Sequence, residues 1–411
     1  MLLLFQVAII LSVARLVRVV VSPLGQPAVV GEMVAGLLLG PSAFGWLMPG
    51  LFDSLFPSES LVSLNALSLI GLVLFMFLVG LRLGAESFRG KRRIATVTSL
   101  ASIVLPFVLG VWLASSVHDR LAPPGLPVLP FALFIGTAMS ITAFPVLARI
   151  LDESGLLSTE IGAIAIACAA FDDVSGWMIL AAVMSLVRAG DPGVLLVHVV
   201  LFVGYLAIML LVIRPALAWW ARKRGAEFCQ SADDLVVVFL IVLLSAVATD
   251  ALGVHALFGA FFAGLTMPRD PAIERMLRER VEPLTTTMLL PLFFALTGLR
   301  TKLQLIDSAS LWTDAALIFA VAVVGKAGAS TVAARWMGMT WRDAGVLGIL
   351  LNTRGLIELV VLNIGFELGI LPPVIFSMLV LMALATTFMT APIVNYLRLV
   401  PTARTAGIGM E

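Results

Sequence analysis

The chain has 411 residues, 61% hydrophobic and only 12% charged, with a mean hydropathy of +1.10. That charged fraction is about half that of a soluble domain, and intrinsic disorder needs the opposite balance of high charge and low hydropathy. Lys and Arg (26) balance Asp and Glu (25), which excludes the basic footprint of a nucleic-acid partner, and the lone pair Cys168 and Cys229 excludes a disulfide scaffold.

What remains is an all-α polytopic membrane protein embedded in a lipid bilayer. A spanning helix needs about 20 apolar residues. Apolar runs between charged or Pro/Gly-rich breaks predict thirteen spans. In chain order they are 1–21, 26–40, 61–81, 94–117, 130–150, 158–186 and 193–221, then 234–251, 253–267, 284–299, 312–334, 343–368 and 373–397. The second and ninth are short. The first is a mature helix rather than a signal peptide, because Arg15 and Arg18 follow its apolar core instead of preceding it.

Positive charge sets the orientation. With the N-terminus outside, Arg120, Arg188, Arg300 and Lys302 are the loop cations on the outer face. Every other loop Lys and Arg, from Arg15 to Arg404, falls on the cytoplasmic side. The C-terminus is then cytoplasmic, and a plasma or bacterial inner membrane is expected. Lys326 and Arg354 lie inside spans.

The chain repeats itself. Leu72–Arg82 aligns with Leu290–Arg300, with Leu, Phe, Gly, Leu and Arg recurring in register, and Gly31–Leu37 aligns with Gly259–Leu265. These matches pair the third span with the tenth and the second with the ninth. A shift of seven spans reverses direction, so the pattern predicts an inverted-topology repeat, as in many secondary transporters. Spans one to six and eight to thirteen form the halves, and the seventh joins them.

Polar residues interrupt equivalent spans of the two halves. The fifth holds Ser140, Thr142 and Pro145, and the twelfth holds Asn352, Thr353, Arg354, Gly355 and Glu358. Proline removes a backbone donor and disturbs the preceding turn, so a crossed pair of broken helices is expected. Arg354 and Glu358, spaced i,i+4, read mainly as a structural ion pair.

The sixth span carries Asp172 and Asp173 near the middle of a long apolar run. One charge at the bilayer centre costs about 2.5–3.5 kcal/mol on insertion scales, so adjacent carboxylates do not face lipid. Neighbouring helical residues point about 100° apart, which lets one face a cavity and the other a helix. Lys326, flanked by Gly325 and Gly328 in the eleventh span, is the expected charge partner. His255 reads as a packing residue, Asp250 as interfacial, Glu160 as near a cytoplasmic end, and Glu32 as structural or functional alike. The methionines read as core filler.

Carboxylates bind monovalent cations and protons, and one site holding either but not both couples the two fluxes. There is no nucleophile elbow, metal-protease helix or P-loop, no cofactor is expected, and the chain does not read as an enzyme. Two rival readings stay open: an organic-anion symporter of similar plan, and a cation channel.

At these residues the chain resembles the monovalent cation:proton antiporter-2 family, especially bacterial relatives of the plant cation/proton exchangers. The stretches concerned are Gly25–Glu32 through Gly40-Pro41, Phe77–Leu81, Ser140–Arg149, Phe171–Val174, Leu290–Phe294 and Asn352–Gly365. The resemblance implies an elevator-type exchanger of Na⁺ or K⁺ for H⁺ that forms a homodimer. It also implies dimerisation-domain helices at 1–81 and 234–300, core ion-transport helices at 94–188 and 312–398, a linker helix at 193–222 and a cytoplasmic tail at 399–411. It makes Asp173 the main cation and proton carboxylate, with Asp172, the partner of Lys326, and Ser140 and Thr142, in an unwound segment, completing the ion- and proton-binding set. An Asp-Asp pair with an intramembrane Lys resembles the electrogenic members, whereas plant exchangers usually carry Asn-Asp. Many relatives continue into a cytosolic regulatory domain, which is either lacking or removed beyond Glu411.

Overall fold

The computed structural model describes residues 1–24, 26, 28–82, 92–156, 159–189, 192–225, 232–252 and 255–399. Expectations resting on Gly25, Arg89, Lys91, Cys229 and the tail from 400 onward, Arg404 included, lie outside these residues. The described residues form helices and no strands. In order they are α1 (Leu2–Val21), α2 (Ala28–Leu39), α3 (Phe44–Leu47), α4 (Pro49–Leu55), α5 (Ser58–Arg82), α6 (Arg92–Leu121) and α7 (Val128–Ser140). Then follow α8 (Phe144–Glu153), α9 (Glu160–Ala189), α10 (Pro192–Ile208), α11 (Arg214–Arg224), α12 (Ala232–Ala251), α13 (Ala256–Thr266) and α14 (Pro271–Leu284). The last six are α15 (Leu290–Arg300), α16 (Ala309–Val323), α17 (Ala329–Trp336), α18 (Trp341–Leu351), α19 (Leu356–Glu367) and α20 (Pro373–Leu399). Single π-turns join α10 to α11, α14 to α15 and α16 to α17.

Among the described residues, ten helical stretches are long and apolar enough to cross a membrane, against the thirteen runs in the sequence. Three runs account for the difference. Run 130–150 divides into α7 and α8, and run 343–368 into α18 and α19, because polar residues and a proline or glycine cut each helix midway. Run 253–267 yields only α13, of 11 residues. His255, expected to pack, caps that helix: its Nδ1 accepts from Leu257 N at 3.4 Å.

The segment before run 284–299 is helix rather than loop. Asp270 caps α14 by accepting from Ala272 N at 2.8 Å, and Pro271 takes the first turn, where its missing donor costs nothing. Ile273, Leu277 and Val281, four residues apart, are the buried stripe of a helix whose other faces are charged. A search for apolar runs passes over such a helix.

The chain divides into two compact units. The first comprises Met1–Leu16, Glu32–Ser87 and Trp177–Arg300; the second comprises Val17–Gly31, Phe88–Gly176 and Thr301–Glu411.

The first unit holds two reciprocal helix crossings. Where α13 meets α5, a Cβ on Gly264 would lie 2.2 Å from Phe77 O, and one on Gly80 would lie 2.1 Å from Phe261 O. Where α2 meets α15, a Cβ on Gly298 would lie 2.1 Å from the Gly36 carbonyl carbon, and one on Gly36 would lie 2.7 Å from Phe294 O. Gly36 aligns with Gly264 in the repeat, and Gly80 with Gly298. Each crossing is therefore the counterpart of the other with the halves exchanged. An internal repeat requires this reciprocity, and chance likeness between apolar helices does not. Small residues let backbones approach this closely inside membranes.

Gly264→Ala and Gly298→Ala should each destabilise the purified protein by about 1–3 kcal/mol, the usual cost of overpacking, seen as a lowered melting temperature. Gly204→Ala, with nothing within 4 Å of its added methyl, should be neutral or stabilising.

Candidate functional site

The second unit is organised around the two helix breaks, and the accounting of their backbone groups is nearly complete. In an unbroken helix Ala138 O, Met139 O and Ser140 O would accept from the amides four residues on. Instead Arg354 donates to Ala138 O at 3.0 Å and to Met139 O at 2.8 Å, and Lys326 Nζ donates to Ser140 O at 2.5 Å. The freed amides turn elsewhere. Ala143 N donates to Thr353 O at 3.0 Å, which ties one break to the other, and Phe144 N donates to Asp173 Oδ1 at 3.4 Å. Pro145 has no amide to place.

The second break is satisfied in the same way. The Thr142 hydroxyl lies 3.2 Å from Leu351 O at the end of α18. Thr387 of α20 bridges Arg354: its hydroxyl accepts from Arg354 N at 3.0 Å and donates to Arg354 O at 2.6 Å. Glu358 lies in the first turn of α19, where a carboxylate complements the helix dipole, and meets Arg354 Nη1 at 3.2 Å. At Gly355 the helices lie close, since a Cβ there would fall 2.9 Å from the Val146 side chain of α8 and force it to shift.

The two aspartates of α9 have opposite surroundings, although both are fully buried. Asp172 is saturated. It accepts from the hydroxyls of Ser99, Ser102 (2.8 Å) and Thr142 (2.5 Å), and Lys326 Nζ stands 3.6 Å away. Among the described residues Asp173 Oδ1 has only the Phe144 amide, and Oδ2 has no hydrogen-bond partner. Among the described residues no cation lies within ion-pair distance of Asp173. The side chains of Asn352 and Thr353, at the break whose backbone the Ala143 amide reaches, are likewise buried without hydrogen bonds.

The structure thus brings Asp172, Thr142, Ser140 and Lys326 together, with Ser140 contributing its carbonyl. It pairs Arg354 with Glu358. Arg354 lies in the break itself rather than on the helix face assumed from the i,i+4 spacing. Asn352 and Thr353 lie in the same break. Sequence reasoning missed Ser99 and Ser102, hydroxyls three apart in the apolar run of α6, and Thr387 in α20. Polar spacing within those runs was the available signal. Lys326 sits in the π-turn Val324–Gly328, a local irregularity common at functional sites.

Residues 8–396 match the family described as sodium/hydrogen exchanger, transmembrane. The chain belongs to that family. It is 40% identical to the Na⁺/H⁺ antiporter NhaS4 of Synechocystis, over 96% of both chains. It is 42% identical to cation/H⁺ antiporter 20 of Arabidopsis thaliana and 33% to K⁺/H⁺ antiporter 1 of Saccharomyces cerevisiae. It spans about half the length of those last two, 48% and 46%. Its fold matches the sodium/proton antiporter MjNhaP1 of Methanocaldococcus jannaschii with a TM-score of 0.65, at 14% identity, over 96% of this chain and 97% of that one.

Removing Arg354 strands the buried Glu358 carboxylate and two carbonyls of α7. Arg354→Met should therefore cost about 3–5 kcal/mol. Arg354→Met with Glu358→Met should cost less than the single change, measured as thermal stability in detergent.

Proposed function

We infer that the chain is a secondary antiporter exchanging Na⁺ or K⁺ for protons, with Asp173 as the carboxylate that binds one or the other. The observation that carries this reading is the charge balance at the crossing. Asp172 answers Lys326 and Glu358 answers Arg354, which leaves Asp173 buried as an anion with one backbone amide. A buried uncompensated charge costs several kcal/mol, so Asp173 needs either a proton or a cation. A site that must hold one and cannot hold both is an exchanger. The names of NhaS4 and of the yeast and plant relatives, antiporters of Na⁺, K⁺ or cations with H⁺, support the same chemistry.

The finer reading follows from this arrangement. The whole charged crossing belongs to one of the two compact units, which supports an elevator mechanism: the unit holding the ion carries it between faces, and the other makes the homodimer contact. Asp173 binds the cation when deprotonated, and Asn352 and Thr353 hold the break beside it. Protonation on the other face displaces the cation. One proton traded for one monovalent cation at Asp173 moves no net charge; a second proton, taken up where the Asp172–Lys326 pair opens and released where it re-forms, makes transport electrogenic. The excess of loop cations on one side supports an N-terminus outside and a C-terminus in the cytoplasm, in a plasma or bacterial inner membrane. An organic-anion symporter would call for cationic donors free to meet its substrate, but Lys326 and Arg354 are engaged with carbonyls and carboxylates.

In proteoliposomes with an imposed pH gradient and a luminal dye, Na⁺ or K⁺ should collapse the gradient, and Asp173→Asn should abolish that response in folded protein. A cation-dependent response surviving in Asp173→Asn overturns the assignment. With equal pH on both faces, lowering the pH should raise the apparent KM for the cation, approaching about tenfold per unit by mass action. The maximal rate should be unchanged, because protons compete for the same carboxylate.

A further inference from the structure

Pro106 lies inside α6. Proline has no amide hydrogen, and its ring pushes away the carbonyl four residues back. That carbonyl is Ser102 O, and it is the one that receives Lys326 Nζ at 3.1 Å. The other carbonyl on the ammonium, Ser140 O, is freed by the end of α7. Lys326 therefore rests on two carbonyls that have no helical donor of their own. The π-turn that carries it lies directly on the proline, since a Cβ on Gly325 would fall 3.1 Å from the Pro106 Cα.

We propose that Pro106 is a positioning residue for Lys326. By withholding its own amide it keeps Ser102 O open as an acceptor, and so holds the ammonium beside Asp172 at 3.6 Å rather than in direct hydrogen-bond contact with it. The proposal uses the antiport reading only for its consequence in transport; the geometric claim stands apart from it. The ordinary alternative is a proline that merely bends α6.

The two separate by sign. Pro106→Ala supplies an amide that competes for Ser102 O. In the native chain this takes an acceptor from the ammonium. In Lys326→Met the same amide satisfies a carbonyl left without a donor. Melting temperatures of the purified full chain would be measured for the native protein, Pro106→Ala, Lys326→Met and the double variant. The expected result is that Pro106→Ala lowers the melting temperature of the native chain and raises that of Lys326→Met. An equal shift in both backgrounds overturns the proposal. Should Pro106→Ala not fold alone, folding of the double variant supports the proposal, and failure of both overturns it.

The second readout is the pH profile of cation-driven proton release in proteoliposomes. Pro106→Ala should keep exchange but move the midpoint of the profile. Activity scaled down at every pH about an unmoved midpoint is the signature of a bend alone, and overturns the proposal. If the native chain exchanges nothing, the antiport reading fails, while the melting cycle still decides the role of the proline.

Discussion

Two helices cut inside an apolar unit create an obligation that the rest of the site discharges. Each cut frees backbone carbonyls on one side and amides on the other, and inside a membrane there is no bulk water to take them. Arg354 and Lys326 cap the end of α7, the Thr142 hydroxyl lies against the end of α18, and Thr387 bridges Arg354. Those cations in turn require anions, and Glu358 and Asp172 supply them. The cations that satisfy the breaks and the carboxylates that answer them are therefore one network. The break needs the cations, the cations need two carboxylates, and the third carboxylate, Asp173, is left without an ion-pair partner among the described residues.

This explains why adjacent aspartates can differ so much. Asp172 is surrounded by three hydroxyls from two elements as well as the ammonium. Each of those hydroxyls has one proton and a backbone carbonyl as its other partner: Cys168 O for Ser99, Ser99 O for Ser102 and Leu351 O for Thr142. Asp172 can thus gain or lose donors by rotation of hydroxyls alone, without movement of the helices. Among the described residues Asp173 has no such shell, and its single amide partner is free only because α7 and α8 are not one helix.

Much of this was legible in the sequence. Charged residues inside apolar runs are so costly that Asp172, Asp173, Lys326, Arg354 and Glu358 announce themselves. The repeat surfaced through glycines that let backbones touch, and Pro145 together with Asn352–Gly355 marked both breaks. What stayed hidden is what depends on three-dimensional register. Ser99, Ser102 and Thr387 are ordinary helix hydroxyls until α6 and α20 bring them to a carboxylate or a bare carbonyl. The i,i+4 spacing of Arg354 and Glu358 suggested a helix face, while the arginine in fact fills the gap between two helices. The helix α14 was obscured because its charged face breaks the apolar run that marks a span.

The central claim is that Asp173 holds a proton or a cation and never both. Its most direct test is calorimetric titration of the purified protein with Na⁺ and K⁺ in buffers of differing ionisation enthalpy, at fixed pH. The slope of observed heat against buffer enthalpy counts protons released per cation bound. The account predicts proton release on cation binding in the native chain over the pH range where Asp173 is protonated, and loss of both binding and release in Asp173→Asn. Cation binding with no proton released at any pH would contradict it.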